Sequence, residues 1–256
     1  MNSMVSTGRV GRVMVATLSR PPVNALDDRM IAELDAVLDR AIDDDEVVVL
    51  HLRSDQRSFS AGADLALIKA CFERPDGPDA MAEVVRSMQR FYERLEAAPL
   101  VTLAEIATTA LGGGFELALA CDLRVAALEA RLGLPEARLG LLPGGGGTQR
   151  LTRLCGPGLA KRLILGAEIV DGAQAERLGL VQWAVPLARL AAFAAELAQR
   201  HAAMPKAALA ANKRCIAAAT QPGVDGYDEE ICETRTLYSH PETRRKVSDF
   251  LGKRTR

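Results

Sequence analysis

Aromatic residues are scarce in this chain: Phe, Trp and Tyr together make up 4% of its 256 residues. Its core must therefore be assembled from Ala, Leu, Val and Ile. Long apolar runs are missing too, and none approaches the roughly 20 residues needed to span a bilayer. The richest stretch, LARLAAFAAELAQR, is broken by charges and predicts an amphipathic helix. The start, MNSMVSTGRVGRV, lacks the apolar core of a signal peptide. Neither sign of charge dominates, with 32 Lys and Arg against 33 Asp and Glu. That balance leaves no electrostatic footprint for nucleic acid. Five cysteines (Cys71, Cys121, Cys155, Cys215, Cys232) form no CxxC pair, and an odd, irregular set argues for reduced thiols. A cytoplasmic protein without a membrane or nucleic-acid partner is the expectation.

Histidine is equally thin. His51, His201 and His240 are far apart in sequence and join no HxxxH or His/Cys cluster, which removes the usual metal sites and a His-dependent nucleophilic triad. His51 stands inside a β-branched run and reads as a structural histidine. What is present, 48% hydrophobic and 25% charged residues, describes one large globular domain or a domain with an appendage.

Along the chain, RVMVATLS (12–19) predicts a strand, and RPPVNAL turns the chain. Leu26, Met30, Leu34, Val37, Leu38 and Ile42 recur at helical spacing. VVVLHL predicts a strand buried on both faces. SFSAGADL (58–65) reads as a small-residue loop, and 71–80, with Pro75, Gly77 and Pro78, as a mobile surface connection. A helix with Met81, Val84, Val85, Met88, Tyr92 and Leu95 on one stripe follows, then a strand (LVTLAEI), a glycine turn, a short helix and a strand (CDLRVAA). Helical patterning resumes from about residue 157, interrupted by LVQWAV, and a tail of three Ala-rich helices starts at 187. Alternation of strands and helices predicts an α/β core with largely parallel pairing. The expected division is a core over 1–195 and a helical region over 196–256.

Two glycine clusters invite nucleotide readings, and both fail on required residues. Neither LGGGFE nor GGGGTQR carries the lysine of a phosphate-binding loop, and a dinucleotide fingerprint would need glycine where Leu117 and Gln149 stand. No GxSxG elbow is present either. What remains is SAGAD and LGGGFE, small-residue turns that leave backbone N–H groups open to approach. Two such donors converging on one point make an oxyanion hole, where each is worth about 3 kcal/mol of transition-state stabilisation. Read singly, each piece has a plainer meaning. Glu116 suits the first turn of a helix, where the dipole favours a carboxylate. Glu136, after a proline, suits a surface helix start, and Gly144 to Gly147 suit a turn before a helix.

Taken in order, RPPVNAL, SFSAGADL, LGGGFELALACDLRVA, LGLPEARLGLLPGGGGTQRL and ETRRKVSDFLGKR resemble the crotonase superfamily, the enoyl-CoA hydratase/isomerase family, over nearly the whole chain. The resemblance implies a spiral of ββα units with an appended C-terminal helical region, and a homotrimer or dimer of trimers. It implies an acyl-CoA substrate and no separate cofactor, since coenzyme A arrives as part of the substrate. It puts the oxyanion-hole N–H groups on Ala63 and Gly113, beside Gly112, and the hydratase glutamates on Glu116 and Glu136. It lays coenzyme A along Val23, Ala25, Ala61, Asp64 and Leu65, with Phe250 and Lys253 of this or the next subunit closing over the nucleotide. Ala107 and Thr108 depart from a common Asn-Gly pair, and Lys246 and Gly252 from a common Gly and Glu. With a glutamate at both places, reversible hydration of a 2-enoyl-CoA to a 3-hydroxyacyl-CoA leads. Double-bond isomerisation, another enolate-stabilising acyl-CoA reaction, and non-enzymatic binding of acyl-CoA or RNA are the alternatives.

Overall fold

The computed structural model describes residues 3–254, the side chains of Lys253 and Arg254 excepted. Val5–Val10 (β1), Val13–Leu18 (β2), Val49–Ser54 (β3), Val101–Ile106 (β4), Leu123–Ala127 (β6) and Trp183–Val185 (β9) form one sheet in the order β1-β2-β3-β4-β6-β9. The β1–β2 pair is antiparallel and the other four are parallel. Parallel strands covered on both faces read as continuous apolar runs, and β4 is buried at every position. Thr109–Leu111 (β5), Arg131–Gly133 (β7) and Ile169–Asp171 (β8) form a second, small sheet. The α/β expectation and the parallel pairing hold.

Helix Asp28–Asp43 (α1) follows from its stripe: Met30, Ile31, Leu34, Val37, Leu38 and Ala41 are buried, and the Asp27 side chain caps it by accepting from the Met30 N–H at 2.8 Å. Aliphatic residues and alanine dominate the core, with Phe59, Tyr92 and Phe115 as its largest members.

Three expectations need correction, and the structure adds one strand for which there was no expectation. Strand β1 lacks a sequence signal because it is an edge strand with one buried residue, so no alternation marks it. The segment 71–80 is mostly helix: Leu65–Phe72 (α2) runs into it and Gly77–Ala97 (α3) starts within it, leaving 73–76 as the connection. Pro78 sits in the first turn of α3, where a proline is tolerated because its missing N–H would be unpaired anyway. Helix Gly147–Leu165 (α5) begins ten residues earlier than the periodicity suggested, since the non-helical Gly156 (φ 77°) ahead of Pro157 kinks it and breaks the pattern. Beyond Gly172–Arg177 (α6), the tail contains four helices among the described residues: Leu187–Ala202 (α7), Lys206–Ala218 (α8), Gly226–Ser239 (α9) and Pro241–Arg254 (α10). The expected boundary at 195/196 falls inside α7, which packs on β2, β3, β4 and β6. His51 is buried in β3, 2.9 Å from Glu105 of β4 at an angle outside hydrogen-bond geometry.

Two crossings position the functional loops. After β4 the chain leaves the large sheet to form β5, and helix Gly113–Ala120 (α4) starts at once. Loop 58–65 is stitched on both sides, Ser60 bridging Ala110 and Ala63 bridging Leu26. Asn24 fastens the same loop from inside, its amide donating to the Ser58 and Phe59 carbonyls at 3.1 and 3.0 Å.

Candidate active site

Helix α4 is buried along all eight residues. Such an element needs its end groups satisfied internally. At its C-terminal end the buried Arg124 guanidinium donates to the Ala118 and Cys121 carbonyls at 3.2 and 2.6 Å, placing a cation where the helix dipole favours one. At the other end the chain turns through Gly112 (φ 52°), a conformation that favours glycine. Gly114 allows the closest approach: a Cβ there would stand 2.4 Å from the Ser60 carbonyl oxygen. LGGGFE and SAGAD thus pack backbone to backbone.

That packing brings two donors close together. A Cβ built on Gly113 would lie 3.5 Å from the Ala63 nitrogen, and one on Gly62 3.2 Å from the Gly113 nitrogen. Among the described residues neither the Ala63 nor the Gly113 N–H donates within the protein. Both residues line a cavity of about 790 Å³, together with Gly112, Glu116 and Glu136. Ile68, Met81, Val85, Met88, Leu139 and Leu142 give much of its wall an apolar character.

Glu116, in the first turn of α4, is 2% exposed. Burial pushes its carboxyl up to about 7, and the charge of Glu136 adds to the rise. The opposing influences are the Gly147 N–H, which donates to Glu116 Oε1 at 2.7 Å, the Gly145 N–H and the Arg150 guanidinium. The run Gly144–Gly147 is therefore more than a turn. A Cβ on Gly145 would meet Glu116 Oε2 at 2.8 Å, and one on Gly147 would meet Oε1 at 2.8 Å. Only residues without a side chain leave room for that carboxylate beside the start of α5. Glu136 opens the one-turn 3-10 helix Glu136–Leu139 and is half-buried. Its Oε2 is buried without a hydrogen-bond partner among the described residues, and burial raises its carboxyl above the ordinary value. A buried, unpaired acceptor on a cavity wall is a group awaiting a donor.

The remaining sequence-predicted residues divide. Ala61 and Leu65 line the cavity. Val23, Ala25 and Asp64 do not: Val23 accepts the Ala61 N–H through its carbonyl, Ala25 accepts from Arg20, and Asp64 caps α2 and pairs with Arg20 at 2.6 Å. Phe250 is exposed on α10, away from the lining, and the side chain of Lys253 lies outside the described residues. Sequence reasoning missed Tyr92 and Arg150 as members of this site. Tyr92 was legible as a core position of α3, and its hydroxyl donates to the Gly113 carbonyl at 2.9 Å.

Two unpaired N–H donors and two carboxylates line one largely apolar cavity, a donor and acceptor set of the kind that suits a polarised carbonyl compound and a water. The family described as enoyl-CoA hydratase/isomerase matches over residues 9–255, and the chain belongs to it, within the crotonase superfamily. It is 34% identical to the 2,3-dehydroadipyl-CoA hydratase of Escherichia coli over 255 residues, 99% of this chain and 97% of that one. To a probable enoyl-CoA hydratase of Bacillus subtilis it is 42% identical over 169 residues, 66% of this chain and 64% of that one. Among solved structures, DspI of Pseudomonas aeruginosa superposes with a TM-score of 0.91 at 34% identity, covering 98% of this chain and 95% of that one. An enoyl-CoA hydratase of Bacillus anthracis gives 0.89 at 31% identity, covering 98% and 97%.

Proposed function

We propose that this protein reversibly hydrates a 2-enoyl-CoA to a 3-hydroxyacyl-CoA. The observation that carries the reading is the pair Glu116 and Glu136 on the wall that also holds the unpaired Ala63 and Gly113 N–H groups. The two N–H groups take the thioester oxygen, which makes C3 electrophilic and stabilises the enolate that forms. A water sits between the carboxylates. Glu116 accepts one of its O–H bonds and orients it, and Glu136 takes the other proton and passes it to C2 while the oxygen adds to C3. Water supplies both the hydroxyl and the proton, and each carboxylate ends as it began. The chemistry draws on carboxylates and N–H donors, with coenzyme A entering as part of the substrate along Ala61 and Leu65.

Support for hydration over isomerisation comes from Glu136: a double-bond shift needs one carboxylate, whereas the second has a buried oxygen free to hold a water. The test is loss of the conjugated thioester absorbance of crotonyl-CoA and longer 2-enoyl-CoAs, with product mass. Only hydration adds the mass of one water, and a wild-type protein inert on all chain lengths ends this reading. We assign the protein to the cytoplasm and to a trimer or dimer of trimers. Tyr227, Ile231 and Tyr238 of α9 stand 82%, 55% and 75% exposed, an apolar surface suited to further copies of the chain. No helix among the described residues is long and apolar enough to cross a membrane.

A further inference from the structure

Arg150 stands in the first turn of α5, where the helix dipole disfavours a cation by a few tenths to about 1 kcal/mol. It is nevertheless buried, with 6% exposure. Burying a guanidinium at that end of a helix is destabilising unless strong partners offset it. Glu96, on α3, is one such partner: Arg150 Nε and Nη2 reach Glu96 Oε2 at 3.1 and 3.0 Å. The Gly145 carbonyl is the second, accepting from Nη1 at 2.9 Å. The Tyr92 ring is the third, 5.8 Å from the guanidinium carbon.

Two of these partners lead to the reactive groups. Gly145 belongs to the turn that cradles Glu116, and a Cβ on Gly145 would strike both Glu116 Oε2 and the Tyr92 ring at 2.8 Å. Tyr92 in turn donates to the Gly113 carbonyl, fixing the first turn of α4. Glu96 is the half-exposed counter-charge on the far side. We propose that Arg150 is a positioning residue for the Glu116 carboxylate, gripping its glycine cradle through the Gly145 carbonyl and keeping a positive charge behind it. The proposal rests on the reading of Glu116 as the group that orients the water.

The charged and titratable groups around Glu116 come from three elements: Arg150 from α5, Glu136 from the one-turn helix and Tyr92 from α3. Behind Arg150 stand Glu96 and, 3.6 Å from it, Arg153. Burial and Glu136 favour the neutral form of Glu116, and Arg150 favours the charged form. Removing Arg150 therefore moves the Glu116 titration to higher pH. Removing the Glu96 charge leaves Arg150 less neutralised and moves it to lower pH. A residue that only held the fold would change the melting temperature and leave this inflection in place.

Arg150→Met and Glu96→Gln are compared with wild type in two ways: the pH dependence of kcat with crotonyl-CoA, and carboxyl titration by NMR on 13C-glutamate-labelled protein, with Glu116 assigned by its loss in Glu116→Gln. In Arg150→Met the inflection is expected to rise by about one pH unit, a roughly tenfold loss of rate on the acid limb. Folded Arg150→Met with the wild-type inflection overturns the proposal. Where that variant fails to fold, Glu96→Gln decides: a downward shift of a few tenths of a unit supports the proposal, and an unmoved inflection overturns it. Should wild type hydrate no enoyl-CoA, the proposed function falls, while the NMR titration still judges the link between Arg150 and Glu116.

Discussion

Glu116 holds its place against its own ionisation. Burial lifts its carboxyl from 4.5 to about 7, so the folded state binds that proton more tightly than the unfolded chain does. Stability from this group is fully present below about pH 4.5 and is lost as pH rises through about 7, a total of about 3 kcal/mol. Glu136, raised for the same reason, acts with the same sign. Glu116→Gln keeps an oxygen for the Gly147 N–H and removes the charge. Denaturant unfolding is expected to show the variant gaining on wild type between pH 5 and 8, and a constant difference across that range would contradict the burial argument. On the proposed chemistry the same variant loses at least about a hundredfold in kcat, and so does Glu136→Gln. Wild-type turnover is expected to climb as pH rises through about 7, because Glu116 must be ionised to accept from water. A rate that falls through that range would instead mean that one carboxylate works protonated.

At the scale of elements, α4 and loop 58–65 are pressed together with no room for a side chain. Gly114→Ala would drive a Cβ to within 2.6 Å of the Ser60 Cβ and closer still to its carbonyl oxygen. A loss of about 1–3 kcal/mol and collapse of activity are expected, read by thermal unfolding and turnover together. Gly158→Ala in α5 meets nothing within 4 Å and is expected to stabilise by about 0.4–1 kcal/mol. The elements differed in how far the sequence announced them. Helix α1 was readable from its burial period and strand β3 from its continuous β-branched-rich run. Helix α2 was hidden: LALIKACF is apolar but for Lys69, so no polar face marks a period, and only Cys71 of it is buried. Its Leu65, Ile68 and Phe72 keep helical spacing but line the cavity and not the core. Glu116 and Glu136 were singled out through the resemblance to the crotonase superfamily, since each alone looked like a helix-start residue. Arg150 was out of reach because its contact with Glu96 joins α5 to α3 across 54 residues of sequence.

For the whole molecule, the exposed apolar side chains of α9 give the proposed assembly its test. Sedimentation is expected to give three or six times the monomer mass, and a monomer at micromolar concentration would remove the assignment. Tyr238→Asp places a charge at a 75% exposed position. If that face meets another copy, the variant is expected to dissociate while its isolated fold melts within about 0.5 kcal/mol of wild type. The two glutamates also differ in how firmly the molecule owns them. Glu116 shares one buried helix with Gly113 and is enclosed by Gly145, Gly147 and Tyr92, so replacing it disturbs several parts at once. Glu136 hangs on a single 3-10 turn between Pro135 and Gly140, with Ala137, Arg138 and Leu139 open to solvent. Exchange at 136 is expected to leave the melting temperature close to that of wild type. On the proposed chemistry the site is therefore divided into a fixed half and an exchangeable half, and a single substitution at 136 is the one expected to change the reaction while the fold stays as it is.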